Sequence, residues 1–141
     1  MMNFFKNGED YERIGFRKWR VLKGFDTVCG FRPPADKETG LIFPIETKFG
    51  LFTPDGVLRI EKGFMWDGAT MALDTDDIMK ASCVHDWFCN AVDNGTLPVS
   101  YRLKGDDLFK RICLEEGMPE FRAYYCHAAV VAYGKAKYNV D

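Results

Sequence analysis

The hydrophobic period of this chain changes once, and that change limits the folds open to it. From Trp19 to Gly63, short apolar runs alternate with turn residues. From Asp74 onward, apolar residues recur at three- and four-residue spacing. The first pattern suits strands and the second suits amphipathic helices. The fold class expected is therefore α+β: a small N-terminal antiparallel sheet packed on a C-terminal layer of three helices. A chain of 141 residues has the length for one domain with its own core.

The expected strand runs are 19–22, 27–29, 40–43, 50–52 and 57–60, separated by Arg32-Pro33-Pro34, Glu38-Thr39-Gly40 and Thr53-Pro54-Asp55-Gly56. The last of these is the clearest turn, because proline presets one corner and glycine is free to take positive φ. Residues 1–15 are polar apart from Phe4 and Phe5 and read as an arm or short docking segment. Residues 16–63 form the β-rich part, and 64–75 an ordered loop in which Asp67 stands alone among small residues. Residues 76–137 are helical. Asp74, Thr75, Asp76 and Asp77 offer cap and first-turn carboxylates for a helix over about 76–92, which Asp93-Asn94-Gly95 stops. A second helix is expected over about 104–116. A third, over about 119–137, has Ala123, Ala128, Ala129 and Ala132 to allow close packing.

Ala81-Ser82-Cys83-Val84-His85-Asp86-Trp87-Phe88-Cys89 holds one of only two histidines. His85 shares a stripe with Ile78, Ala81, Phe88, Cys89 and Val92, and Asp86 lies about 100° round at its margin. On the second helix Asp106, Phe109 and Cys113 share a stripe, which turns Asp106 inward and Asp107 towards solvent. A buried carboxylate needs a partner. An Asp106–His85 pair would fix the imidazole tautomer and raise the basicity of its other nitrogen, as a general base acting on water requires. A histidine on an apolar face also serves as a hydrogen-bonded core residue, Asp67 also as a turn cap and Asp86 also as a surface charge. Both readings stand on spacing alone.

Cys83, His85, Cys89 and Cys126-His127 could also bind zinc. The chain has no Cys-x-x-Cys knuckle, and Cys83 and Cys89 face differently on one helix, so zinc is disfavoured. There is no nucleophile elbow, P-loop or Rossmann glycine pattern. A net charge of −2 argues against a nucleic-acid partner. The early basic residues Arg13, Arg17, Lys18, Arg20 and Lys23 follow Glu9, Asp10 and Glu12 and read as a solvated face. No run approaches the roughly 20 apolar residues of a membrane span. Five cysteines without a secretory h-region point to reduced thiols and synthesis in a cytoplasm.

Gly63-Phe64, Trp66-Asp67-Gly68-Ala69-Thr70, His85-Asp86, Asp106-x-x-Phe109 and Ala123-Tyr124-Tyr125 before Gly134 resemble a small domain of unknown function. That family is frequent in bacteriophage and prophage genomes, and the resemblance runs over about residues 57–137. It implies manufacture in a bacterial host cytoplasm and, on one reading, a non-catalytic place in the virion, tail or assembly among phage structural proteins. The same order is distantly similar to secreted bacterial and fungal phospholipases A2. That similarity implies a calcium-dependent hydrolase acting on phospholipid or another ester. His85 would be its base, Asp106 the orienter, Asp67 and Asp86 the calcium ligands, and Gly68 a carbonyl ligand. Calcium takes oxygen donors, and two carboxylates would hold it weakly. The chain departs from those lipases in lacking their secretion and disulfides. Cys83 stands two residues before the histidine rather than three, and Cys89 replaces the tyrosine usual after His-Asp.

Overall fold

The computed structural model describes residues 4–69 and 74–139; Thr70 and the rest of the 70–73 stretch of the expected loop lie outside the described residues. Its strands are β1 (Tyr11–Gly15), β2 (Lys18–Val21), β3 (Phe25–Val28), β4 (Ile45–Thr47), β5 (Gly50–Phe52), β6 (Val57–Ile60) and β7 (Met65–Trp66). The helices are α1 (Asp76–Asp93), α2 (Tyr101–Glu115) and α3 (Glu120–Tyr138). The fold is α+β as expected, but the β part divides in two. One sheet runs β1-β2-β7 and the other β3-β6-β5-β4, with every strand pairing antiparallel. The chain leaves the first sheet after Val21 and re-enters it at Phe64. There the Val21 N–H donates to the Phe64 carbonyl and the Gly63 N–H to the Val21 carbonyl, each at 2.8 Å.

The Thr53–Gly56 turn joins β5 to β6 as its chemistry requires, with Gly56 at φ +86°. The expected run 40–43 forms no strand: Ile42 makes one isolated bridge to Ala35, and Leu41 and Phe43 are exposed. The segment expected as an arm is built into the fold from residue 4 on. Phe5 is buried, stacks on Tyr11 at 4.8 Å, and donates its backbone N–H to Glu116 at 2.9 Å. Full burial of a ring of this size stabilises the fold by about 1.5–3 kcal/mol, which is what holds the segment down.

All three helices fall within about three residues of their expected bounds. The first turn of α1 carries Asp76 and Asp77. Asp74, expected among the helix-start carboxylates, instead accepts from the Ala69 backbone N–H (2.7 Å) and from Trp19 Nε1 (3.3 Å). The ends of α1 and α2 are closed by Gly95 and Gly117 at positive φ; Thr96 N–H reaches Ala91 O at 2.8 Å and Met118 N–H reaches Cys113 O at 3.0 Å.

Helix α1 is the central beam. It is buried on nearly every side, by Ile78, Met79, Ala81, Ser82, Cys83, Val84, Trp87, Phe88, Ala91 and Val92. It ties to the first sheet through Trp66 Nε1–H to Ser82 Oγ (3.0 Å) and to the second through Trp87 Nε1–H to Thr47 Oγ1 (3.1 Å). Helix α2 crosses it where Gly105 lies over Phe88. The close packing expected of α3 rests on Ala123 and Gly134; Ala128 and Ala132 face outward.

Candidate functional site

Past the first turn and Lys80, the strip of α1 that escapes full burial carries His85, Asp86, Cys89, Asn90 and Asp93. These residues recur at one- and three-residue steps and so share a helix face. They line a pocket of about 310 Å³, which Asp67, Gly68 and Ala69 close on one side and Tyr125, Ala129, Val130 and Tyr133 of α3 close on another.

His85 is clamped from behind. Its Nε2–H donates to Asp106 Oδ1 at 2.6 Å, and the ring stands edge-on to Phe109 at 5.4 Å. Asp106 is 1% exposed, and its other oxygen lies 3.5 Å from Arg102 Nη1. Arg102 is buried too, and its Nη1 also donates to the Val131 carbonyl at 3.4 Å. A buried carboxylate is thus held between a guanidinium and an imidazole, the compensation that burial of charge demands. Burial works against a charged His85 ring, but the hydrogen bonds with Asp106 and Cys89 outweigh it and push the pKa up to about 10. The ring is therefore cationic at neutral pH. Cys89 Sγ lies beside the ring, 3.6 Å from Nδ1 and 3.9 Å from Nε2.

The expected metal ligands lie on the same pocket wall. Burial first, and then the charge of Asp67, push the Asp86 carboxyl up to about 6, against the opposing pull of His85, Lys18 and Lys137. Asp67 is largely exposed and meets the ammonium of Lys18 at 2.7 Å. Gly68 stands at φ +74°, and a Cβ there would lie 2.6 Å from the Asp74 carboxylate, so the loop needs glycine at that point. Asp67 and Asp86 offer oxygen donors of the kind a hard cation takes, with Lys18 as its competitor for Asp67. Among the described residues, no group of three or more His, Cys, Asp or Glu side chains gathers into a metal site. Of the residues weighed for zinc, His85, Cys89 and Cys126 line the pocket, Cys83 is fully buried in the core, and His127 pairs with the exposed Asp107 at 2.9 Å.

The structure brings Asp67, Gly68, His85 and Asp86 to one pocket and sets Asp106 directly behind His85. Sequence reasoning missed Arg102, although its place four residues before Asp106 on one helix was a usable signal. It also missed Lys18 as the partner of Asp67, a contact across 49 residues that no local pattern encodes.

Among the described residues, no helix is long and apolar enough to cross a membrane. No curated protein and no solved structure matches the chain. Residues 45–130, from β4 to the middle of α3, match the family described as Protein of unknown function (DUF1353), and the chain belongs to that family.

Proposed function

We propose that this pocket hydrolyses carboxylic esters, with phospholipid acyl esters as the substrate class. One observation carries the reading. His85 is fixed through Nε2 by a buried carboxylate and lines a pocket that also holds Asp67 and Asp86. That is how an imidazole is set to move a proton at a bound carbonyl compound. Asp106, flanked by Arg102, keeps the ring oriented and its charge balanced. His85 gives the Nδ1 proton to the leaving alkoxide. Tyr125, Ala129, Val130 and Tyr133 supply an apolar wall for the acyl chain. Asp67 and Asp86, with the Gly68 carbonyl, would hold a calcium ion, which when bound supplies positive charge for the ester carbonyl oxygen.

The test is fatty-acid release from short-chain phosphatidylcholine, with calcium or with chelator, by wild type and His85→Gln. A loss of about 100-fold or more in the variant is expected, the usual share of general acid–base catalysis. Equal rates overturn the reading. Thermal melts check the metal separately: calcium raises the wild-type midpoint by binding the native state. The rise disappears in Asp67→Asn and grows in Lys18→Met, which frees Asp67 from its competing ammonium.

A second reading, a non-catalytic component of a phage particle, draws on exposed aromatics: Phe16 beyond β1, and Phe121 and Tyr124 on α3. Such residues are enriched where proteins meet. Particles that form normally without the chain would remove this reading.

A further inference from the structure

We propose that Cys89 is the nucleophile of this pocket and that ester hydrolysis proceeds through an acyl-thioester on its sulfur. The inference rests on the ester-hydrolase reading and names the atom that attacks. Three groups stand in the order that nucleophilic catalysis needs: nucleophile, proton carrier, orienter. Cys89 Sγ lies against the His85 ring, 3.6 Å from Nδ1 and 3.9 Å from Nε2, and His85 Nε2 lies 2.6 Å from Asp106 Oδ1. Helical geometry fixes the first contact, because residues four apart on α1 stand one turn above each other. Tertiary packing fixes the second, across α1 and α2.

The other thiols are more deeply buried, including Cys126, which also lines the pocket but is 4% exposed. Cys29, Cys83, Cys113 and Cys126 are all buried, and burial pushes the Cys29 and Cys113 thiols up to about 12. Cys89 alone is partly exposed, and it opens onto the pocket.

The atoms balance without an oxidant or reductant. With both ring nitrogens of His85 protonated, the thiol gives its proton to solvent, and Sγ, as a thiolate paired with the imidazolium, forms a bond to the ester carbonyl carbon. The tetrahedral adduct collapses with cleavage of the ester C–O bond, and the alkoxide leaves as alcohol with the Nδ1 proton. Water then gives a proton to Nδ1 and attacks the thioester carbon. The C–S bond breaks, the acid is released, and the thiol regains its proton. One water is consumed per ester.

The experiment uses p-nitrophenyl butyrate with the full chain, followed by acid quench and intact-mass and peptide analysis. Wild type should release a burst of about one p-nitrophenolate per chain and carry a butyryl group on Cys89. Cys89→Ala should lose the adduct and fall on the order of 100-fold in turnover, and Cys89→Ser, close in size, should fall similarly without loss of melting temperature. His85→Gln should acylate slowly. If Cys89→Ala turns over at the wild-type rate while His85→Gln is inactive, the thiol's role is overturned and the ester-hydrolase reading stands. If both variants match wild type, both readings fall. Absence of any adduct on Cys89 in a turning-over wild type also overturns the proposal.

Discussion

Asp86 is held in the folded chain at a cost. Its carboxyl is pushed from the ordinary value near 3.8 up to about 6, by burial and then by Asp67. The folded state thus binds its proton more tightly than the unfolded state does. Between those two values the native chain carries more protons, and stability falls as pH rises through the window. Asp86→Asn removes that penalty. The variant should be more stable than wild type at pH 7, by about 3 kcal/mol at most, at about 1.4 kcal/mol per unit. The gain should fade below about pH 4, where Asp86 is protonated in both states. Chemical denaturation followed by circular dichroism across pH 3–8 reads this directly, and a variant less stable at pH 7 would contradict it. At this scale the sequence was informative wherever helical phase decided the answer. Asp106 could be chosen over Asp107 because the two face differently, and they do: Asp106 is 1% exposed and Asp107 76%. Phase could not reveal Lys18 against Asp67, since that contact depends on how the β1–β2 hairpin sits beside the loop that follows β7.

Helices α2 and α3 meet where Gly134 covers the buried Arg102. A Cβ at Gly134 would lie 2.6 Å from both Cδ and Nη1 of that side chain. Arg102 is not free to yield, because Nη1 faces Asp106 and Val131. Gly134→Ala gains about 1 kcal/mol of helix propensity, while overpacking a pinned group costs about 1–3 kcal/mol. The clash should win, lowering stability by about 1 kcal/mol and disturbing the clamp behind His85. Ala at Gly95, where a Cβ meets nothing within 4 Å, would show only the strain of its positive φ and serves as the comparison. The helices were legible because caps, glycine stops and a sustained period agree with one another. The short strands were not. β1 buries only Tyr11 fully, so its pattern lacks alternation, and β4 and β7 have three and two residues, too few to show any period. The run 40–43 looked like a strand from composition, but Leu41 and Phe43 point into solvent and only Ile42 bridges a neighbour.

At the level of the whole molecule, the order Asp67, His85-Asp86, Asp106 told which side chains belong together. It did not tell what closes the pocket. That closure comes from α3, whose Tyr125 and Tyr133 both line the cavity and remain about half exposed. The division of the β part into two sheets was likewise invisible, because strand pairing is set by contacts distant in sequence, such as β2 with β7. Both sheets pack on α1, which Trp66 and Trp87 fasten to each in turn. Enclosure of that kind has a kinetic signature. Backbone amides of α1 can meet solvent only when both sheets and α2 have let go, so their hydrogen exchange should report global unfolding. Those of α3, buried only at Ala123, Cys126 and Gly134, should exchange through smaller openings. Deuterium uptake by mass spectrometry should find α1 the last segment to label; if α3 outlasts it, the enclosure is looser than the packing implies. The pocket is thus hung between a slow wall and a fast one. His85 and Asp106 keep their places for the lifetime of the native state, while the α3 side can open and close.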